Sequence, residues 1–315
     1  MSVRETSKPP VVRNRAMREC IPAAGLFQQA LPARTRWAAL RASTLPNTRG
    51  VSSALEHHIN EIIDSFYHLC EILQGSIKPR MTHSMSQPAY SIPQRSPLYQ
   101  APPFDYKAFS KVSVFCRVDE AAIRGALPAQ FDVRGDVIEF FIMDVPAGGS
   151  LGAYAEGGIV VPMSYKGRPG GHVLYEIVTN DDSMAVGREV WGYPKKMGDV
   201  EWQADDNAVR AKLSRRGTSL IEIDFKVDGP QFEKPALQPR FQTRIIPSPE
   251  SPAVETQIIE NSLGGSSIIR HAVGTAEIRI GGNASDPFSD FEIREIVGAE
   301  MIVANFVLSF GKIIG

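Results

Sequence analysis

The chain has 315 residues, 43% of them hydrophobic and 22% charged, which suffices for one large domain or two ordinary ones and excludes global disorder. A formal net charge of −1 removes any whole-molecule attraction to nucleic acid or anionic lipid, and no uninterrupted apolar run is long enough for a transmembrane helix. Cys20, Cys70 and Cys116 are widely spaced and odd in number, which excludes a disulfide framework and a Cys-x-x-Cys zinc site and fits a reducing compartment.

Residues 1–50 carry nine Lys or Arg against two acids and little apolar periodicity. This basic extension reads as a disordered tail, a start codon set too far upstream (Met81 and Met85 are alternatives), or an organellar transit peptide. No apolar signal-peptide core is present, so the cytoplasm is the expected location, with an organelle as the alternative. An amphipathic helix is expected within residues 51–78. Leu55, Ile59, Ile62, Phe66, Leu69 and Leu73 recur at three- and four-residue steps, Ser53 and Glu56 form a capping box, and Gly75 supplies a stop. His57, His58 and His68 lack an acid at metal-ligand spacing and read as solvated or packed. Residues 79–104 form a Pro/Ser/Gln-rich connector that cannot be regular helix or central strand.

From residue 105 to the C-terminus the pattern is one of short strands punctuated by Gly and Pro. They are expected at Lys111–Arg117, Val137–Met143, Ile159–Tyr165, His172–Val178, Val209–Ser214 and Leu220–Val227. Only Glu120–Ala126, and a segment near Glu292, invite a helix. The fold class is therefore mainly β (α+β), a β-barrel or sandwich-rich domain with short helices. No Gly-x-Gly-x-x-Gly or Walker A pattern separates a strand from a helix, so no nucleotide cofactor is expected; no cofactor or metal of any kind is signalled.

One segment carries chemistry. Lys195 and Lys196 follow Trp191, Gly192, Tyr193 and Pro194 and precede Met197 and Gly198. An apolar neighbourhood disfavours the charged form of lysine, and a second cation nearby disfavours it further. Only a neutral amine attacks a carbonyl, and an ordinary lysine is almost wholly protonated at neutral pH. A neutral Lys195 could condense with a ketone, and the resulting iminium would draw electrons from a neighbouring carboxylate as carbon dioxide leaves.

The run Ala185 to Gly198, Ala-Val-Gly-Arg-Glu-Val-Trp-Gly-Tyr-Pro-Lys-Lys-Met-Gly, resembles the signature of the acetoacetate decarboxylase family. Cys116 to Asp119 with Ala126-Leu127-Pro128, the Gly-rich Leu151 to Gly158, and Ile245-Ile246-Pro247 extend the resemblance over about residues 101–312. It implies a β-barrel flanked by further sheet and short helices, assembled as a homo-oligomer. It also implies Lys195 as the Schiff-base nucleophile and Lys196 as the cation that depresses its pKa, a device for which acetoacetate decarboxylase is itself the known example. Glu156, read alone, is a loop acid between glycines; the resemblance makes it the active-site glutamate that handles protons beside the lysine. Arg188 and Glu189 read as structural.

The resemblance also exposes two departures. An arginine before the first core strand and its acidic companion align with Phe109 and Phe141. A site that has lost that pair gains apolar volume, so Phe109 and Phe141 are expected to line the substrate pocket and to favour a bulkier 3-oxo acid over acetoacetate. The implied activity is cofactor-independent decarboxylation of a small-molecule β-keto acid. A Schiff-base aldolase or dehydratase on the same scaffold, or a noncatalytic ligand-binding barrel, are the alternatives. No nucleic-acid or membrane partner is expected.

Overall fold

The structure is a computed structural model, and it describes residues 89–315. The expected extension and amphipathic helix, and the connector up to residue 88, lie outside the described residues. Residues 89–103 run without helix or strand and are tied down by Tyr99, whose hydroxyl donates to the Glu189 carboxylate.

From Phe104 the chain is mainly strand. The order is β1 (Phe104–Arg117), α1 (Glu120–Ala126), β2 (Asp132–Val133), β3 (Val137–Val145), β4 (Ala147–Gly148), β5 (Tyr154–Tyr165), β6 (Arg168–Val178) and α2 (Asp181–Val186). Then come β7 (Lys195–Met197), β8 (Asp199–Ala204), β9 (Ala208–Arg215), β10 (Thr218–Val227), β11 (Arg240–Pro247) and β12 (Val254–Asn261). The long β13 (Leu263–Ile280), β14 (Glu295–Leu308) and the short β15 (Lys312–Ile313) complete it. All join one sheet in the order β15-β12-β11-β6-β5-β3-β1-β14-β13-β10-β9-β8, with β2, β4 and β7 pairing at its side.

The sheet curls until β8 and β9 pack over β3, β5 and β6, closing a barrel by side-chain contact rather than by a hydrogen-bonded seam. Its interior is branched aliphatic and aromatic, with Val112, Val114, Ile138, Phe140, Ile142, Ile159, Val161, Leu213 and Ile223 buried together. A second apolar cluster lies on the opposite face of β1, β3, β5 and β6, because strand residues alternate between faces. It includes Tyr106, Phe109, Phe141, Tyr154, Trp191 and Phe306, and the candidate site is set into it.

The helix expected at Glu120–Ala126 is present as α1. The Asp119 side chain accepts from the Ala121 N–H at 3.0 Å, and Arg124 donates to the Leu127 and Phe131 carbonyls beyond its end. The expectation of a helix near Glu292 is corrected: that segment is irregular, with only a 3₁₀ turn at Phe288–Asp290 before it. A helix not expected, α2, starts instead at Asn180, whose side-chain oxygen accepts from the Ser183 N–H at 2.9 Å. Its six residues are too few for an apolar period to show. It continues into a π-helical turn, Gly187–Trp191, which Gly192 ends in the left-handed region at φ 80°. Among the described residues no helix is long and apolar enough to cross a membrane.

Candidate active site

Lys195 opens β7, which runs parallel to β6 with Lys195 opposite Glu176. Its aliphatic stem lies against Gly187: a Cβ there would come within 2.7 Å of the lysine Cδ, so only glycine fits at that point of the π-helical turn. The ammonium donates to the Glu156 carboxylate at 2.7 Å and to the Ser183 hydroxyl at 2.9 Å, and the rings of Tyr154 and Tyr193 lie 5.6 and 5.9 Å from it. Both charged side chains are 8% exposed. Three elements thus converge: β5 brings Glu156, the capped start of α2 brings Ser183, and β7 brings the amine.

A second carboxyl belongs to this group. Glu176 is buried on β6, one of its oxygens has no hydrogen-bond partner, and burial together with the nearby Glu156 charge pushes it up to about 8, against the pull of Lys195 and Arg240. Tyr106 and Tyr154 share a hydroxyl–hydroxyl bond of 2.8 Å beside the lysine, and burial keeps both phenols protonated. None of Glu176, Ser183, Tyr106 or Tyr154 was expected from sequence. A lone acid in the otherwise apolar run Val173–Val178 was the available signal for Glu176; the others carry none.

The depressed amine expected for Lys195 is corrected. Burial does pull it down, but the paired Glu156 carboxylate outweighs that, joined by Glu176 once it ionises, and holds the ammonium above the ordinary lysine range. Nor does the structure bring Lys196 to the same place. Adjacent residues of a strand face opposite ways, and the Lys196 ammonium bonds Asp286 at 2.8 Å and the Ser285 carbonyl at 2.7 Å. Arg215 holds the other oxygen of Asp286 at 2.8 Å.

Phe109 and Phe141 are both on the site face. Phe109 arrives there through a bulge: the β1 register shifts between Tyr106 and Phe109, with Ala108 at φ 50°, so two residues three apart share a face. It packs edge-on against Phe306, with centroids 5.0 Å apart. Phe141 stands opposite Gly158 on β5, with the Lys111 ammonium 5.8 Å above its ring.

Charge is nevertheless present on this face, from residues the sequence did not single out. Glu139, two residues from Phe141, accepts from Lys111 at 2.6 Å and Ser113 at 2.7 Å, and Arg240 stands 3.5 Å from its other oxygen. Burial would raise its carboxyl, but the two cations hold it down at about 2. Arg188 and Glu189 serve the scaffold: Arg188 donates to the Lys195 carbonyl at 3.1 Å, while Glu189 takes Tyr99 on its side chain and Arg244 on its backbone oxygen.

The family model for acetoacetate decarboxylase (ADC) matches residues 86–314. The chain belongs to the acetoacetate decarboxylase family. Among curated relatives, the acetoacetate decarboxylase of Burkholderia mallei is 25% identical over 247 residues, covering 76% of this chain and 98% of that protein. The crystal structure of the Legionella pneumophila acetoacetate decarboxylase superposes with a TM-score of 0.64 at 21% identity, covering 74% of this chain and 93% of that one. The enduracididine biosynthesis enzyme MppR complexed with pyruvate gives 0.63 at 19% identity, covering 72% and 98%. The acetoacetate decarboxylase fold is thus shared with proteins of differing names, and the chemistry of this member rests on its own site.

Proposed function

We propose that the chain is a cofactor-independent decarboxylase of a 3-oxo acid, acting through an iminium at Lys195. The observation that supports this reading is a buried amine set 2.7 Å from Glu156 and 2.9 Å from Ser183, with a second buried carboxyl alongside. The raised ammonium favours it rather than opposing it. An environment of carboxylates and tyrosine rings that stabilises a cation at this nitrogen stabilises an iminium at the same nitrogen.

Glu156 first takes a proton from Lys195, and the neutral amine adds to the ketone carbon. The carbinolamine hydroxyl leaves as water with a proton returned from a carboxyl group, for which Glu156 and the protonated Glu176 are in place. The bond between the α-carbon and the carboxylate then breaks, its electron pair passing to the iminium nitrogen as carbon dioxide departs. The enamine takes a proton on carbon, and water releases the ketone and regenerates Lys195. One proton is consumed per keto acid anion.

Borohydride reduction in the presence of butanone, followed by peptide mass mapping, tests the reading: a secondary amine is expected at Lys195. Turnover of a 3-oxo acid with no label at Lys195 would sink it. A Schiff-base aldolase or dehydratase is the second reading. It draws support from Phe109, which stands where the resemblance places the carboxylate-binding arginine; carbon dioxide release from a panel of 3-oxo acids separates the two. The enzyme is further proposed to be cytoplasmic, on its scattered cysteines, and homo-oligomeric, on the unpaired edges of β8 and β15. Sedimentation checks the assembly.

A further inference from the structure

Strands β6 and β11 meet, in parallel, at a single residue pair, Gly171 and Arg240. Beyond that pair they part, β6 going on to pair with β7 and β11 with β12. The wedge between them is an open cleft of about 390 Å³ whose walls include His172, Val173, Gly192, Pro194, Gln242 and Thr243. Pro194 is the chain neighbour of Lys195, while Val173 and Gln242 lie two residues from the pair at the apex. The cleft therefore passes the chain neighbour of the lysine and, through Gln242, meets β11 two residues from Arg240; Ala126, Pro128 and Gln130 at the end of α1 also line it.

The apex is cationic and incompletely satisfied. Lys111 and Arg240 share one carboxylate, Glu139, which leaves an excess of one positive charge. Arg240 has five N–H donors, of which one meets the Leu237 carbonyl, and its side chain is 13% exposed against 3% for Glu139. Its place depends on Gly171, where a Cβ would come within 2.5 Å of the guanidinium. Gln242 projects from the same face of β11, is fully buried, and has neither its amide oxygen nor its amide nitrogen hydrogen-bonded. A guanidinium fork and an amide, both with free donors, form a receptor for a carboxylate.

This carboxylate cannot be the one that leaves. Glu156, which faces Lys195, and Val160, which pairs with Glu139, are four residues apart on β5, so the two polar ends are separated by about 13 Å of strand. Phe141, opposite Gly158, stands on the same face between these two strand positions. We infer that the cleft receives the tail of the substrate, and that this tail ends in a second carboxylate held by Arg240 and Gln242. The inference rests on the Schiff-base reading and names its substrate class: a 3-oxo dicarboxylic acid with an alkyl spacer.

The test compares carbon dioxide release from 3-oxooctanedioic acid and from its ω-methyl ester, using the full-length enzyme as wild type, Arg240→Gln, Arg240→Lys and Gln242→Leu. The wild type should favour the diacid about tenfold or more in kcat/KM, chiefly through KM. Arg240→Gln should erase that preference, Arg240→Lys should keep part of it, and Gln242→Leu should reduce it. Butanone trapping at Lys195 serves as the control in every variant, and should Arg240→Gln fail to trap, the other two variants carry the comparison. Equal treatment of diacid and ester by a wild type that traps butanone overturns the subsite alone. A parallel loss on both substrates in trapping-competent variants does the same. A wild type that turns over acid but traps nothing overturns the Schiff-base reading, and the subsite with it.

Discussion

Strands β1, β3 and β5 carry two environments back to back. On the barrel face Val112, Ile138, Phe140, Ile142 and Val161 are buried with no charge among them. On the other face, one residue along each strand, Lys111, Glu139 and Glu156 are buried or nearly so among Phe109, Phe141 and Tyr154. The first face is held together by apolar burial alone, at about 25 cal/mol per Å². The second accepts a desolvation cost for its ions and offsets it by pairing, Lys195 with Glu156 and Glu139 with Lys111 and Arg240. Apolar burial is thus concentrated on one side of a single sheet layer and buried charge on the other.

The difference can be broken from either side. The largest effect is expected from Lys195→Met, which removes the proposed nucleophile and should cut decarboxylation roughly a millionfold, measured as carbon dioxide release. Glu156→Gln should lower kcat by about 10²–10⁴ with a smaller change in KM, since it removes the proton acceptor 2.7 Å from the amine. On the barrel face, Phe140→Ala should cost about 3–5 kcal/mol in urea unfolding, while activity per folded molecule stays near the wild-type value.

Two smaller effects sharpen the comparison. Glu176 holds its proton up to about 8, above the range of an unfolded carboxyl. Its contribution to stability is therefore complete at acid pH and lost as pH rises through that value. Glu176→Gln should remove this loss, so that the variant gains on the wild type by at least about 1 kcal/mol between pH 5 and pH 9. A gap that does not widen with pH would refute the assignment. The smallest effect is expected from Lys196→Ala, which removes one of the two cations on the buried Asp286 while Arg215 keeps the other, and should alter kcat by no more than about threefold. A large drop in kcat would restore the role that the family resemblance implies for this lysine.

Much of the scaffold was legible because its signals are local. Short strand-like runs between Gly and Pro clusters marked β1, β3, β5, β6, β9 and β10, and the segment Glu120–Ala126 marked α1. The run around Lys195 and the glycines around Glu156 carried the family, and with it the expectation of a nucleophile and one acid. The unexpected α2 was hidden by its length. Its significance lies in Ser183, which reaches the lysine only because Asn180 starts the helix where it does.

What the sequence alone determined is which residue types stand near which others along the chain, and hence the family resemblance that singles out Lys195 and Glu156. Tertiary structure decided everything that depends on which way a side chain faces across strands. It turned Lys196 away to Asp286, because neighbours in a strand point oppositely. It turned Phe109 inward through a bulge, which reverses that alternation. It brought Glu176 alongside Lys195, and Arg240 to Glu139 across 101 positions of sequence. Pairing and register are global properties of the closed sheet, and no local pattern encodes them.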